Sequence, residues 1–580
     1  MEPTVVVREY IATIFQTFSK VIEFEDENGK KINIYDIKYL ASKNNFKSAI
    51  VTEHTGLNYT PYHYIRFTEP VIIMIKEILL IILQKFYFLD KNKKRIIITG
   101  FRLKLKFWTR KTTSLFEGLR VLSSKCNCSC IYCYRKNSPL DDHNYMMSLD
   151  EANTRIKYYN ALEKKGLFDY YVSTGEFFLN KYAIRILEKA RKKDPVSPIQ
   201  ITTNGTFLTK KIIKRLESLK PIHLNISLNS TCVNLRKQIM GGGCHENVVK
   251  GISLVRAYEI SYIGSILMWP EISFNDVRKS LDFLQKMEAL YVVLFLPGFN
   301  KYNKPTSYSL SYMKTHWCKI RTFFCKIRNN YDMPIILDIN SYWISSISPV
   351  IDGIIKNSPA YNIGLKSGDV ILAINDKKIF SRNGFIREMM KIQKNGKKVC
   401  NLFVRRGSEK KFFSLREFGD KKYAYPYKPK GYSTTLGSFW GVLMCNSIYI
   451  PALRKLKQLI LSKEFSRIVV FVSPLMKKQL NKLREFINLE IFFNNCDVKF
   501  ITTKNYFWGG NIILGDLMMV EDFCRLLNTS FVEEFKPEAV VIPRTFVAGW
   551  GRDFSGVPYT EIERKTGYRV FLLPCTRIEF

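Results

Sequence analysis

The sequence predicts an α/β protein: a partial (β/α)6 barrel of TIM-like type, then a small β-rich module, then a C-terminal α/β module. Three observations predict it. Between residues 115 and 296, short apolar runs alternate with longer amphipathic stretches, as parallel strands do when crossover helices join them. From Val350 to Arg405, short apolar runs are broken by Gly and Asn-containing turns, the texture of a compact β module. Beyond residue 431 buried-strand and helix patterns resume. With 580 residues and 46% hydrophobic content the chain supports several cores. The boundaries read as 1–111, 112–335, 343–417 and 431–580.

Taken in order, Val5–Phe15 is a short apolar helix or strand. Val71–Leu83 is apolar but interrupted by Lys76 and Glu77. It falls short of the roughly 20 apolar residues a bilayer span needs, so it reads as a buried helix. Phe86–Leu89 and Arg95–Gly100 are strands around a polar turn, and Phe101–Trp108 alternates basic and apolar residues as a half-exposed strand does. The barrel strands are placed at 115–122, 167–173, 199–203, 222–228, 261–269 and 289–296. The helices between them are placed at 148–165, 181–193, 210–219, 247–257 and 275–286. Ser148 and Glu151 form a capping box at the first helix, and Gly166 stops it. Active sites of such sheets lie at the C-terminal ends of the strands.

Ninety Lys and Arg against 51 Asp and Glu leave a formal charge of +39. That field favours acidic partners, although lysines solvated on helix faces account for much of it. The excess lies upstream of residues 520–580, where acids and bases nearly balance. Thirteen cysteines, an odd number at irregular spacing, do not form a disulfide framework. With no secretory pattern at Met1-Glu-Pro-Thr, the expected setting is the cytoplasm. No membrane span is predicted.

Chemistry concentrates in Cys126-Asn-Cys128-Ser-Cys130-Ile-Tyr132-Cys133, directly after the first barrel strand. Cys126, Cys130 and Cys133 are spaced C-x3-C-x2-C. Clustered thiolates bind soft metals, as zinc or as an iron–sulfur cluster, and both usually take four protein ligands. This loop offers three, with no histidine nearby. A three-ligand cluster leaves one iron open to another molecule. Cys128 fits no ligand position. Cys318 and Cys325 share a helix face and are expected to be buried; Cys232 and Cys244 have no evident partners, and six scattered histidines suggest no further metal site.

The C-x3-C-x-aromatic-C pattern resembles the signature of the radical S-adenosylmethionine (radical SAM) superfamily. Ser173-Thr-Gly175-Glu176-Phe177 resembles that family's Gly-Gly-Glu-Pro stretch, with Thr174 and Phe177 departing from it. Thr202-Thr203-Asn204-Gly205 resembles its Thr-Asn-Gly turn, and Ile226-Ser227-Leu228-Asn229 its Ser-Leu-Asp segment. The resemblance covers about 112–300. It implies a 4Fe-4S cluster on Cys126, Cys130 and Cys133, with S-adenosylmethionine on the open iron. It also implies Gly175 and Glu176 at the amino group, Thr203 and Ser227 at the nucleoside or carboxylate, and Tyr132 beside the adenine. A flavodoxin- or ferredoxin-like reducing partner would supply the electron.

Val350-Ile-Asp-Gly-Ile-Ile-Lys-Asn-Ser358-Pro-Ala360 and Gly368-Asp-Val-Ile-Leu-Ala-Ile-Asn375 resemble a PDZ domain. Such domains bind peptide ends by strand addition. Here the expected carboxylate loop, Ile344–Pro349, has no Gly, so domain docking is as good a reading for this PDZ-like module. Residues 420–430 form a Pro- and Tyr-rich linker. Tyr506-Phe-Trp508-Gly-Gly510 and Glu521-Asp522 resemble the C-terminal domain of uncharacterised radical SAM proteins that carry PDZ. The functional expectation is hydrogen abstraction by a 5′-deoxyadenosyl radical from a peptide, protein or RNA substrate. The alternative is a metal- or cluster-stabilised scaffold for a protein or nucleic acid.

Overall fold

The computed structural model describes residues 122–133, 146–157, 175–195, 199–302, 308–338, 342–395, 397–416, 436–445, 447–448, 450–486, 488–513, 517–543 and 559–573. To these it adds residues 553 and 557 and short pieces of the first 103 residues. Six short strands lie in those pieces: β1 (Ile22–Glu25), β2 (Lys31–Ile32), β3 (Asp36–Tyr39), β4 (Phe86–Leu89), β5 (Arg95–Ile96) and β6 (Gly100–Leu103). They form two three-stranded antiparallel sheets, β2-β1-β6 and β3-β4-β5. The hairpin of β4 with β5 is the one expected around the polar turn. The expected elements at 5–15 and 71–83 and the barrel strands at 115–122 and 167–173 lie almost wholly outside the described residues, as does the 420–430 linker.

The central sheet contains β7 (Ile199–Thr203), β8 (Ile222–Ser227), β9 (Ser261–Leu267), β10 (Val292–Phe295) and β11 (Ile335–Leu337). All are parallel, in the order β11-β10-β9-β8-β7. Helices follow the strands as the alternation required: Lys210–Glu217, Glu246–Ala257 and Phe274–Lys286. Thr209 and Ser273 cap two of them through their hydroxyls. One sheet face, with Ile201, Leu224, Ile266, Val292 and Leu294, packs under helix residues such as Ile213, Val255, Leu281 and Ile320. The opposite face carries Ile263, Tyr291, Val293 and Ile336, which share a core with the middle module.

Two barrel elements were not expected. Strand β11 lies at the expected domain edge, where three apolar residues are too few for a periodic signal. Helix α1 (Val233–Met240) follows β8; its weakly patterned Val-Asn-Leu-Arg-Lys-Gln gives little amphipathic signal. The expected burial of Cys318 and Cys325 is corrected. Both are exposed on the 18-residue helix Leu310–Ile327, whose buried face is Met313, Trp317, Ile320, Phe323, Phe324 and Ile327. Cysteine is apolar enough to suggest burial, but its helical phase here opposes the larger aromatic residues.

The middle module is antiparallel: β12 (Gly353–Ile354), β13 (Val370–Ile374), β14 (Lys377–Lys378), β15 (Val399–Arg406) and β16 (Glu409–Arg416). Its helix α2 (Arg382–Lys394) contributes Phe385 and Met389 to the core. A hairpin, β17 (Leu436–Phe439) and β18 (Val442–Cys445), pairs with it, Gly353 opposite Leu443 and Ile354 opposite Val442. Trp440, Val442, Leu443 and Met444 complete its core. The last module holds β19 (Arg467–Val472), β20 (Asp497–Thr502), β21 (Ala539–Pro543) and β22 (Val570–Leu573), all parallel in the order β20-β19-β21-β22. The expected architecture of α/β barrel, β-rich module and α/β module is the one observed. No helix among the described residues is long and apolar enough to cross a membrane.

Candidate active site at the strand ends

The cysteine loop is held from two sides. At its start Ser123 bridges Met146, and Asn180 donates to the carbonyls of both Leu122 and Met147 at 2.9 Å. The backbone N–H of Glu176 donates to Lys125 O at 2.8 Å, one residue before the first thiol. On the far side the loop lies across the end of helix α1. Ser129 N donates to Met240 O at 2.8 Å and Ile131 N to Ile239 O at 3.0 Å. A triple glycine follows. Gly242, at φ +51°, lies so close that a Cβ there would sit 2.3 Å from Asn127 O. Only glycine suits both the backbone angle and the approach.

The expected site residues meet here. The Glu176 side chain, 1% exposed, accepts from Thr203 Oγ1 at 2.7 Å and Phe178 N at 3.2 Å through Oε1, and from Asn204 N at 2.7 Å through Oε2. The Gly-Glu stretch and the Thr-Asn-Gly turn are thus one hydrogen-bonded unit at the end of β7. Burial lifts the Glu176 carboxyl to about 7, against the lowering effect of those three donors. Tyr132 OH accepts from Asn229 Nδ2 at 2.6 Å, and its ring centroid is 5.8 Å from that of Trp269, beyond the end of β9. Ser227 ends β8 opposite Ser265 of β9.

Three residues that sequence reading left without a role join this unit. The Asn204 amide donates to Asn127 Oδ1 at 2.9 Å and Cys128 Sγ at 3.3 Å, and lies 3.8 Å from Cys126 Sγ. Asn229 orients Tyr132 while accepting from Leu267 N at 2.8 Å. Arg236, fully buried on α1, donates to Ser227 O at 2.8 Å, to Leu228 O, and to Asn204 O at 3.0 Å. Asn204 and Asn229 stood inside the motifs already noted. Arg236 stood in the unexpected helix and gave no signal.

Burial raises the Cys130 thiol to about 12, and neighbouring Cys133 and Cys126 add to the rise. Free thiolates are therefore disfavoured, and a bound metal would have to supply the balancing charge. Among the described residues no three Cys, His, Asp or Glu side chains are disposed around one ion position. As a donor set, however, three mutually interacting thiols on one pinned loop fit an iron–sulfur cluster. Cys128 lies against the same group, its backbone N–H on Cys126 Sγ at 3.4 Å and its Sγ accepting from Asn204 Nδ2 at 3.3 Å.

The last module reaches the same rim. Beyond β10, Phe299 N donates to Asn511 Oδ1 at 2.7 Å, Asn511 Nδ2 donates to Pro297 O at 2.9 Å, and Lys301 N donates to Trp508 O at 2.7 Å. The stretch Trp508–Asn511 is thereby a clamp on the barrel loop.

Residues 121–284 match the family model for the radical SAM superfamily, and residues 327–416 match that for the PDZ domain. The chain carries both domains. Over 177 residues it is 29% identical to a probable GTP 3′,8-cyclase of Methanococcus maripaludis, covering 30% of this chain and 57% of that one. It is 30% identical over 151 residues to the GTP 3′,8-cyclase of Limosilactobacillus fermentum, covering 26% and 44%. An uncharacterized protein of Methanocaldococcus jannaschii is 25% identical over 301 residues, 48% of this chain and all of that one. The chain thus spans about half the length of the cyclases it matches, 57% of one and 44% of the other. Among solved structures, anSMEcpe with bound AdoMet is similar at 16% identity and TM-score 0.31, covering 40% of this chain and 68% of that one. Streptococcus suis SuiB bound to its precursor peptide SuiA stands at 14% and 0.30, covering 38% and 47%.

Proposed function

We propose that this chain is a radical SAM enzyme. Cys126, Cys130 and Cys133 would hold a 4Fe-4S cluster, and S-adenosylmethionine would lie between the cysteine loop and the ends of β7, β8 and β9. When bound, that pair supplies one-electron cleavage of the sulfonium and a 5′-deoxyadenosyl radical that abstracts hydrogen from substrate. The protein's own residues hold and orient. Glu176 ties the Thr203–Asn204 turn beneath the loop, and its Oε2, with one donor, retains capacity for an ammonium group. Tyr132, fixed by Asn229, offers a ring face for a purine. Ser227 presents a hydroxyl at the same rim.

The observation that carries this reading is the single hydrogen-bonded unit made by the cysteine loop, Gly175–Glu176 and Thr203–Asn204 at the C-terminal strand ends. The charge of +39 supports a phosphate-bearing substrate, RNA or nucleotide, over a peptide. The GTP named for the cyclase relatives agrees with that class.

The test is anaerobic reconstitution with iron and sulfide, then dithionite and S-adenosylmethionine, with 5′-deoxyadenosine as readout and Cys130→Ala as control. Nucleoside from the wild type alone is expected. A loaded cluster with no nucleoside, even with cell extract as substrate source, would favour the scaffold alternative. Zinc in anaerobically purified protein would overturn the proposal.

A further inference from the structure

Arg236 is a buried cation with an unusual set of neighbours. Its side chain is fully buried, and its guanidinium bonds three backbone carbonyls, those of Ser227, Leu228 and Asn204. Its Nε finds no acceptor, and no carboxylate forms an ion pair with it, among the described residues. A buried charge is retained in a fold when an opposite charge faces it. Carbonyl dipoles supply part of that compensation but no net charge.

What does face it is the cysteine loop. The helix bearing Arg236 ends on the amides of Ser129 and Ile131 through the carbonyls of Met240 and Ile239. Asn204, whose carbonyl takes an Arg236 N–H, points its side-chain amide at the sulfurs of Cys128 and Cys126. The groups that oppose the lowering of the guanidinium by burial are Tyr132, Cys128 and Cys130, all of that loop. A cluster on three thiolates is net negative, and it gains a further negative charge on reduction. A fixed cation nearby stabilises the reduced form more than the oxidised one, which raises the reduction potential.

We infer that Arg236 is a positioning residue that serves as the fixed counter-charge of the cluster, setting its reduction potential while tying together the ends of β7 and β8. The inference rests on the radical SAM reading above. It assigns Arg236 the electrostatic role and Asn204 that of an amide donor to the sulfur edge. Potential here is a matter of net charge and of hydrogen bonds to sulfur, both of which the protein controls.

The test compares reconstituted wild type, R236Q and R236K by iron content and by an EPR-monitored redox titration. R236Q is expected to load iron and to shift to a more negative potential. R236K, which keeps the charge but not the forked geometry, is expected to stay close to the wild type. R236Q with full iron and an unchanged potential would overturn the inference. So would R236K shifting as far as R236Q, since geometry alone would then explain both. If R236Q is folded by circular dichroism but takes up no cluster, loading of R236K supports the charge role and its failure overturns it. If R236Q does not fold, the R236K titration alone decides. Failure of the parent reading is separately visible, because the wild type itself would then take up no iron.

Discussion

Gly175→Ala tests the central joint of the site. A Cβ at Gly175 would lie 2.3 Å from Lys125 O, 2.6 Å from Ser123 O and 2.6 Å from Ser124 C. All three are backbone atoms, so no side chain can swing away. Restoring tolerable contact requires the loop and the Gly175 segment to part by about 0.7 Å. The Glu176 N–H to Lys125 O bond, 2.8 Å long, spans that same gap and would be broken. Overpacking of a well-packed region costs about 1–3 kcal/mol, and a lost buried hydrogen bond adds about 1. The sum, about 2–4 kcal/mol, corresponds to a fall in Tm of roughly 4–16 °C for a domain of this size. Because Lys125 directly precedes Cys126, iron bound per chain after anaerobic reconstitution should fall with it. Calorimetry and iron analysis on the same preparation check both. G175A with a wild-type Tm and full iron would refute the claim that this contact positions the first ligand.

Further outcomes are expected elsewhere. Asn511→Ala removes the acceptor of Phe299 N and the donor to Pro297 O, costing about 1–3 kcal/mol; hydrogen exchange at 297–302 should accelerate, and unchanged protection there would remove the clamp. Burial lifts Asp522 to about 6, above its ordinary 3.8, despite N–H donors from Tyr506, Phe507 and Met519. The fold therefore holds that proton more tightly than the unfolded chain does. The resulting stability is complete below pH 3.8 and lost as pH climbs through about 6, at most about 3 kcal/mol. Asp522→Asn should flatten the fall in Tm across that window, and an equally steep fall would count against it. Peptides ending in an apolar residue and free carboxylate should show no saturable binding by fluorescence anisotropy, because the edge of β12 is already paired with β18. Native alkylation read by mass spectrometry should modify Cys232, Cys244, Cys318 and Cys325 and spare the buried Cys400, Cys445, Cys496 and Cys524; labelling of the second group at the rate of the first would show the packing to be wrong.

Where packing follows periodicity, the sequence was legible. Ile199–Thr203 and Val370–Ile374 are strands at the expected residues, because their apolar side chains leave little choice of phase. Site residues separated by up to about a hundred positions could be gathered because each sits at a strand end, and a parallel sheet brings its strand ends to one edge. Less legible were features whose meaning is tertiary. Gly241–Gly243 carries no periodic signal, yet it is the bed of the cysteine loop. Arg236, on a helix that no periodicity marked, is fully buried. The hairpin Leu436–Cys445 reads locally as the start of the last module, yet its partner strand is Gly353–Ile354, with Ile354 opposite Val442 and Gly353 opposite Leu443. No local pattern reports such a pairing.

The placement of the three modules follows one logic. In open parallel sheets, ligands bind beyond the C-terminal strand ends. The barrel sheet and the last sheet are both parallel, and they touch through those ends: the loop after β10 meets the stretch after β20. The loops at the C-terminal strand ends of the two α/β units are therefore joined. The PDZ module sits on the other side of the barrel sheet's β9–β11 half, where Ile263, Tyr291, Val293 and Ile336 are part of its core. One edge of its β12 pairs with β18, and its core fills that face of the barrel sheet. On the proposed reading the radical chemistry would belong to the barrel, with the Trp508–Asn511 clamp of the last module fixed to the loop after β10 beside it.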